Sequence, residues 1–247
     1  MEFDFSNVHC IVYDVDRQFE CTFEEVKKLP TPKDFFNFIL FFFRDDDGYF
    51  SKPYIQECMQ SWRHKFSKSR LIYIPVWEAQ ELSLWSKKTI KRRNYPTDSL
   101  RVLFASQLKN CFYLDTDVYL AENLNLPLDK KCFVLDHCSG TMLWNKKPNN
   151  KLLLKWFQCY EDIASQIPEA SQDVIEEINK KDRFIEKYGD IAMYEFYGQG
   201  LGIPSIHIED GSVNHFSNIY PFMRDKKYIG IEVNPKDGSL CHFNIAL

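Results

Sequence analysis

The stretch Phe35–Phe43, following Pro30-Thr31-Pro32, is apolar at every position except Asn37, and it restricts the architectures open to this chain. A strand with one wet face alternates polar and apolar side chains; this one does not, so it must be covered on both faces. Its nine residues also fall far below the roughly 20 needed to span a bilayer as a helix. After the loop Arg44-Asp45-Asp46-Asp47-Gly48, residues 53–66 place Ile55, Cys58, Met59 and Trp62 at i, i+3, i+4 and i+7, the apolar stripe of a helix lying on a core. Leu71–Val76 reads as a second apolar strand. Strand, helix and strand in that order make a parallel unit, which sets the fold class as α/β.

The flanking segments extend this plan. Residues 8–13 and 19–23 read as a short strand pair ahead of it. Thr97 is placed to cap a helix from Asp98 to about Leu108, with Leu100, Leu103, Phe104 and Leu108 on its stripe and Lys109-Asn110 ending it. Cys111-Phe112-Tyr113-Leu114 is a buried strand that runs directly into Asp115-Thr116-Asp117. Beyond it come a strand at 132–135, a helix at 148–163 entered through Pro148, and a charged helical segment at 168–188. Loops follow at Gly198–Gly202 and Gly211, then a closing hairpin from 226–233 and 239–245.

Composition excludes several classes. The net charge of −4 gives no overall electrostatic footprint for nucleic acid. The basic run Lys87-Lys88-Thr89-Ile90-Lys91-Arg92-Arg93 is a solvated face or a contact for anionic lipid or an acidic acceptor. The eight cysteines form no C-x-x-C pair and several lie in apolar runs, which predicts reduced thiols in a reducing compartment rather than a disulfide framework or zinc site. The start, Met1-Glu2-Phe3-Asp4-Phe5, has neither the basic nor the apolar region of a signal peptide, so the expectation is a cytoplasmic chain, soluble or at most peripheral to a membrane.

The chemistry concentrates in one tripeptide. Carboxylates at i and i+2 at the end of a strand can face the same way, and open α/β sheets bind ligands at the carboxyl ends of their strands. Two acidic oxygens without a neighbouring His or Cys cluster suit a hard cation, Mn²⁺ or Mg²⁺, which bridges phosphate oxygens and neutralises a departing diphosphate. The D-x-D spacing occurs three times, at Asp14/Asp16, Asp45/Asp47 and Asp115/Asp117; the third alone combines a preceding strand with a capped helix.

Thr97-Asp98-Ser99-Leu100-Arg101 followed by Phe112-Tyr113-Leu114-Asp115-Thr116-Asp117-Val118 resembles the A-S-D-x-x-R … Y-L-D-x-D-V signature of retaining GT-A glycosyltransferases. The groups concerned contain the DXD sugar-binding-region enzymes and the lipopolysaccharide galactosyl- and glucosyltransferases. The resemblance spans about residues 36–160 and includes the helix ending Ser61-Trp62, but only the block from Asp98 to Asp117 is specific. It departs from the family where Phe43-Arg44-Asp45-Asp46 stands in the base-contacting loop, and where Lys109-Asn110-Cys111 replaces a Gly-Gly pair. The resemblance implies a single GT-A domain over 1–247 with a Rossmann-like, mostly parallel sheet flanked by helices. Its parts are an N-terminal strand pair at 1–34, a nucleotide-sugar-binding core at 35–135, and a smaller acceptor-side region at 136–247.

It further implies that Asp98 and Arg101, one helical turn apart, contact the donor sugar, and that Asp115 and Asp117 hold the metal and diphosphate. His215 is the late candidate for a metal ligand, and Asp136 and His137 border the sugar pocket. The expected reaction moves a hexose from a UDP-sugar, UDP-glucose before UDP-galactose, to a glycan or glycoprotein acceptor with retention; no nucleophile is assigned. Two other readings stand beside it. One is an aspartate-nucleophile, Mg²⁺-dependent phosphatase using Asp14 or Asp115, although Tyr194 occupies the acidic place in the run from Gly189-Asp190. The other is a non-catalytic carbohydrate-binding module using the exposed aromatics.

Overall fold

The computed structural model describes residues 3–44, 48–89, 96–166, 193–208, 212–215, 227–233 and 240–246, from residue 214 onward as backbone. The expected helix at 168–188, the Asp45/Asp47 pair and most of the basic run at 90–93 lie outside the described residues.

Strands β1 (His9–Tyr13) and β2 (Gln18–Thr22) form the expected antiparallel hairpin. Thr22 then starts the one-turn helix α1 (Phe23–Val26) through a capping box with Glu25, which satisfies donors at the helix start. Strand β3 (Phe36–Phe42) matches the apolar run: Phe38 and Leu40 enter one core and Ile39 and Phe41 the other. Helix α2 (Pro53–Lys65) buries Ile55, Cys58, Met59 and Trp62, as its stripe demands. Strand β4 (Ser69–Pro75) pairs parallel to β3.

The short helices α3 (Val76–Ala79) and α4 (Leu84–Thr89) lead to α5 (Pro96–Gln107). The helix α5 differs from expectation in two ways. Its described part already includes Pro96, so Thr97 lies inside it and is not its cap. It is also buried all round, not along a single stripe, because α4 and α6 (Lys151–Gln166) pack against its outer side while the sheet covers its inner side. Helix α6 starts later than Pro148 because Asn149 adopts φ 55° and the Asn150 carboxamide accepts from Leu152 N–H at 3.0 Å, capping the helix there. Asn110 takes φ 47°, and its side chain donates to Lys33 O and Phe35 O at 2.9 and 3.1 Å. Asn is among the few residues with a side chain that visit this conformation readily.

The remaining strands are β5 (Cys111–Tyr113), β6 (Val118–Leu120), β7 (Cys132–Leu135), β8 (Cys138–Asn145), β9 (Ser205–Ile206), β10 (Val213–His215), β11 (Lys227–Val233) and β12 (Leu240–Ala246). The last two form the expected closing hairpin. Eight strands make one sheet in the order β2-β1-β4-β3-β5-β8-β7-β9. The expectation of a mostly parallel sheet is corrected: three neighbour pairs are parallel and four antiparallel. The cause is local. Hairpin turns join β1 to β2 and β7 to β8, where a helical crossover would have made the pairs parallel. The molecule is therefore an α/β fold with a mixed open sheet, α2 on one face and α4, α5 and α6 on the other.

The seven described cysteines are free thiols, and burial pushes the Cys111 thiol far up. Among the described residues no helix is long and apolar enough to cross a membrane.

Candidate functional site

The chain runs from β3 to β4 on one side and later to β5 on the other, so the sheet's order reverses between β3 and β5. At such a reversal the connections leave in opposite directions and open a crevice at the carboxyl ends of the two strands. Asp115-Thr116-Asp117 lies at that end of β5, half-buried. The strand stops at Tyr113, so period-two alternation does not orient these carboxylates. The tripeptide is instead a tight turn, closed by Val118 N–H donating to Asp115 O at 3.0 Å.

The surroundings hold this turn on every side. Asp115 N–H donates to Gly140 O of β8 at 2.8 Å. The Trp62 indole donates to Val118 O at 2.6 Å, and Ser61 Oγ accepts from Leu120 N–H at 3.0 Å, so the buried end of α2 anchors β6 directly after the turn. Tyr49, from the loop after β3, hydrogen-bonds Thr116 Oγ1 through its hydroxyl at 2.8 Å. Cys58, also on α2, is pushed far up by burial first and then by the negative charge of Asp117.

Tyr113 links the two halves of the sequence-derived site. Its hydroxyl donates to Asp115 Oδ1 at 2.8 Å, and the Arg101 guanidinium sits 5.0 Å from its ring centre. Burial raises the Tyr113 phenol well above its usual range, with the Asp115 charge adding to the effect, so it remains a donor at neutral pH. Arg101 in turn forms an ion pair with Asp98. The structure buries both partners, which sets this pair apart from an ordinary surface ion pair. Nothing in the local pattern singled out Tyr113, because a tyrosine in an apolar strand reads as core.

Strand β10 pairs antiparallel with β6 and sets the backbone of His215 opposite Val118, beside the end of the tripeptide. The His215 side chain lies outside what the structure describes. Among the described residues no group of three or more His, Cys, Asp or Glu side chains is arranged to hold a metal by itself.

Asp136 and His137 form the two-residue turn between β7 and β8. Strand β7 runs parallel to β5, so this turn lies at the same edge of the sheet as Asp115, across the neighbouring strand β8. His207 Nδ1 lies 3.0 Å from Asp136 Oδ1, and His137 Nδ1 lies 3.6 Å from Glu195 Oε1. Sequence reading missed His207 and Glu195, which are far from the turn along the chain and carry no local motif.

A cavity of about 680 Å³ opens beside the crevice, between α2 and the β1–β4 side of the sheet. Tyr13, Phe43, Arg44, Phe50, Tyr73 and Trp77 are among the residues that line it. The Arg44 guanidinium lies 5.3 Å from the Trp77 ring centre. Neither Asp115 nor Asp117 lines the cavity, but the adjacent Tyr49 and Phe50, with ring centres 5.3 Å apart, connect it to Thr116.

Other features of the sequence have local structural uses. Asp14 pairs with buried Arg70 at 3.2 Å, at the amino edge of the parallel strands. Lys87 pairs with Glu81 at 2.8 Å and Lys88 donates to Ala164 O near the end of α6. Gly198 packs under Tyr194 and Trp156, where a Cβ would meet the Tyr194 ring at 2.8 Å.

Comparison with protein-family models, with curated proteins and with solved structures returns no match to this chain.

Proposed function

We propose that this chain is a metal-dependent hexosyltransferase of the GT-A kind. It would move a hexose from a UDP-sugar, UDP-glucose before UDP-galactose, to a glycan or glycoprotein acceptor with retention of configuration. The observation that carries this reading is the clamped Asp115-Thr116-Asp117 turn at the sheet's reversal point, joined through Tyr113 to the buried Asp98–Arg101 pair. The sequence block that resembles the family is thereby the same block that the fold brings together at the edge where α/β sheets bind ligands.

The donor set fits Mn²⁺ or Mg²⁺. Two half-buried carboxylates offer hard oxygens, and one is held in a fixed orientation by the Tyr113 hydroxyl. Such cations take one or two protein carboxylates and complete their shell with water and substrate phosphate, so a site short of ligands suits a diphosphate substrate. His215, whose backbone lies beside the turn, is the further protein ligand in this reading. When bound, the cation neutralises charge that builds on the leaving diphosphate.

The chain's own residues divide the remaining tasks. Arg101 keeps Asp98 neutralised and lies against Tyr113, which bonds Asp115. The pair is buried, so in this reading it acts on the donor sugar from beneath the site, by holding Tyr113 and Asp115 in place. Phe43, Arg44 and Trp77, which line the cavity, offer aromatic faces and a cation to the nucleoside end. Asp136 and His137 border the far side of the crevice. The ion pair between Asp14 and Arg70 counts against the phosphatase reading at the first D-x-D, since it gives that carboxylate a structural partner.

Calorimetry with UDP tests the proposal. The expected result is UDP binding in Mn²⁺ that is abolished by EDTA, together with slow hydrolysis of one UDP-hexose. Equal UDP affinity with and without metal would remove Asp115 and Asp117 from the role given them.

A further inference from the structure

The turn at Asp136-His137 places two polar side chains at the carboxyl edge of the sheet. Both residues have positive φ, 49° and 59°, the signature of the tight hairpin turn that glycine and asparagine make without strain. Backbone bonds hold it: Asp136 N–H donates to Ile206 O at 3.0 Å and His137 N–H to Ser205 Oγ at 2.9 Å. The turn thus carries Asp136 and His137, two of the residue types with side chains that enter this region most readily, on a fixed backbone.

Strand β9 runs parallel to β7 and delivers His207 next to Asp136; the turn of helix at Tyr194–Gly198 delivers Glu195 next to His137. The two imidazole rings lie 5.0 Å apart, and His137 also lies 5.3 Å from the Tyr194 ring. None of the four polar side chains is needed to fill the core: they remain 35–60% exposed. Beside Glu195, Phe196 is 65% exposed, the most exposed large apolar side chain among the described residues.

We propose that Asp136, His137, Glu195 and His207, with Phe196, form a saccharide-binding site that receives the sugar acceptor. Carboxylates accept from hydroxyls and imidazoles both donate and accept, so this set reads a polyhydroxylated ligand rather than an anion or an apolar one. The Phe196 ring supplies an apolar face of the kind that small-ligand sites combine with a few placed polar groups. The placement agrees. The turn joins β7 to β8, and β8 pairs directly with β5, so the turn lies one to two strand spacings, about 5–10 Å, across the sheet from β5, the scale of one transferable sugar.

The assignment of this ligand as acceptor rests on the hexosyltransferase reading; the saccharide site itself does not. The experiment is a glycan array probed with the wild-type chain and with Glu195→Gln, Phe196→Ala and His207→Ala, alongside UDP–Mn²⁺ calorimetry on each protein. All three positions are exposed, so the variants are expected to fold, and circular dichroism checks it. We expect wild type to bind a defined set of glycans, Glu195→Gln and His207→Ala to lose about tenfold, the scale of a lost hydrogen bond to a charged group, and Phe196→Ala to lose about as much through its apolar face. UDP affinity should stay the same. Absence of any bound glycan, or full retention of binding in all three variants, overturns the site. Glycan binding that maps to these residues without UDP binding leaves the site standing and overturns the transferase reading in favour of a binding module.

Discussion

Two D-x-D tripeptides follow apolar strands in this chain, and the fold sends them to opposite edges of one sheet. Asp14 leaves β1, which runs antiparallel to β4, and so arrives beside the first residues of β4, where Arg70 takes its carboxylate. Asp115 leaves β5, which runs parallel to β3, and arrives at the carboxyl edge next to the reversal of strand order. Residue type and spacing are the same. Strand direction decides whether the carboxylate meets a structural arginine or an open crevice.

The largest effect expected from this comparison is a loss of roughly 10²–10³-fold in donor hydrolysis for Asp115→Asn or Asp117→Asn, the size seen when one charge-stabilising group is removed from a reacting centre. Full activity in both variants, measured at saturating Mn²⁺, would break the comparison at its root.

A second test concerns the buried pair behind the turn. Arg101→Ala leaves Asp98 charged and without its main counter-ion, which costs about 3–5 kcal/mol in buried pairs and should appear as a clear drop in melting temperature. The double change Asp98→Asn with Arg101→Met removes both charges and should recover most of that stability. In the double variant UDP binding should persist while the added affinity for UDP-hexose disappears. Equal loss of both would assign the pair to the nucleotide rather than the sugar.

The sequence made some of this legible and concealed the rest. Strand β3 and helix α2 were readable because their apolar patterns can be satisfied in only one way each, by cover on two faces and by one buried stripe. Strand β8 was missed because Cys138-Ser139-Gly140-Thr141 lacks both alternation and a strong apolar run; its pairing with β5 and β7 makes it a strand. The full burial of α5 was hidden for a similar reason, since it depends on α4 and α6, which no window over 96–107 contains. Asp98, Arg101, Asp115 and Asp117 were found through a compact motif. Tyr113 had no such signal, and the partners of Asp136 and His137 lie about 60–70 residues away along the chain.

Tyr113→Phe sharpens the comparison at the carboxyl edge. The change keeps the buried ring and its contact with Arg101 but deletes the hydrogen bond to Asp115 Oδ1. Residues that orient a metal ligand typically contribute about 10–100-fold to metal affinity, so the Mn²⁺ concentration for half-maximal activity should rise by about tenfold or more. The melting temperature should fall only modestly, because the buried hydroxyl makes one hydrogen bond and its partner Asp115, half-buried, can turn to water instead. An unchanged Mn²⁺ requirement would make Tyr113 a packing residue only.

The smallest effect on activity is expected at the other edge, from Asp14→Asn. Arg70 is nearly wholly buried and, besides Asp14, donates to Asn37 Oδ1 at 3.1 Å and stacks 4.8 Å from the Phe35 ring centre. An asparagine at position 14 keeps one acceptor for the guanidinium and removes the negative charge. The loss should be that of a charge-assisted bond turned neutral, about 1–2 kcal/mol of folding free energy. Chemical denaturation should show a lower midpoint with an unchanged slope, because the native and unfolded surfaces stay the same. Turnover per folded molecule should equal wild type, since Asp14 lies at the opposite end of the strands from Asp115. If Asp14→Asn instead lost turnover while keeping its denaturation midpoint, the carboxylate would be acting in chemistry and not in the Arg70 pair. The two edges of the sheet would then have exchanged roles, and the phosphatase reading would gain the support it lacks.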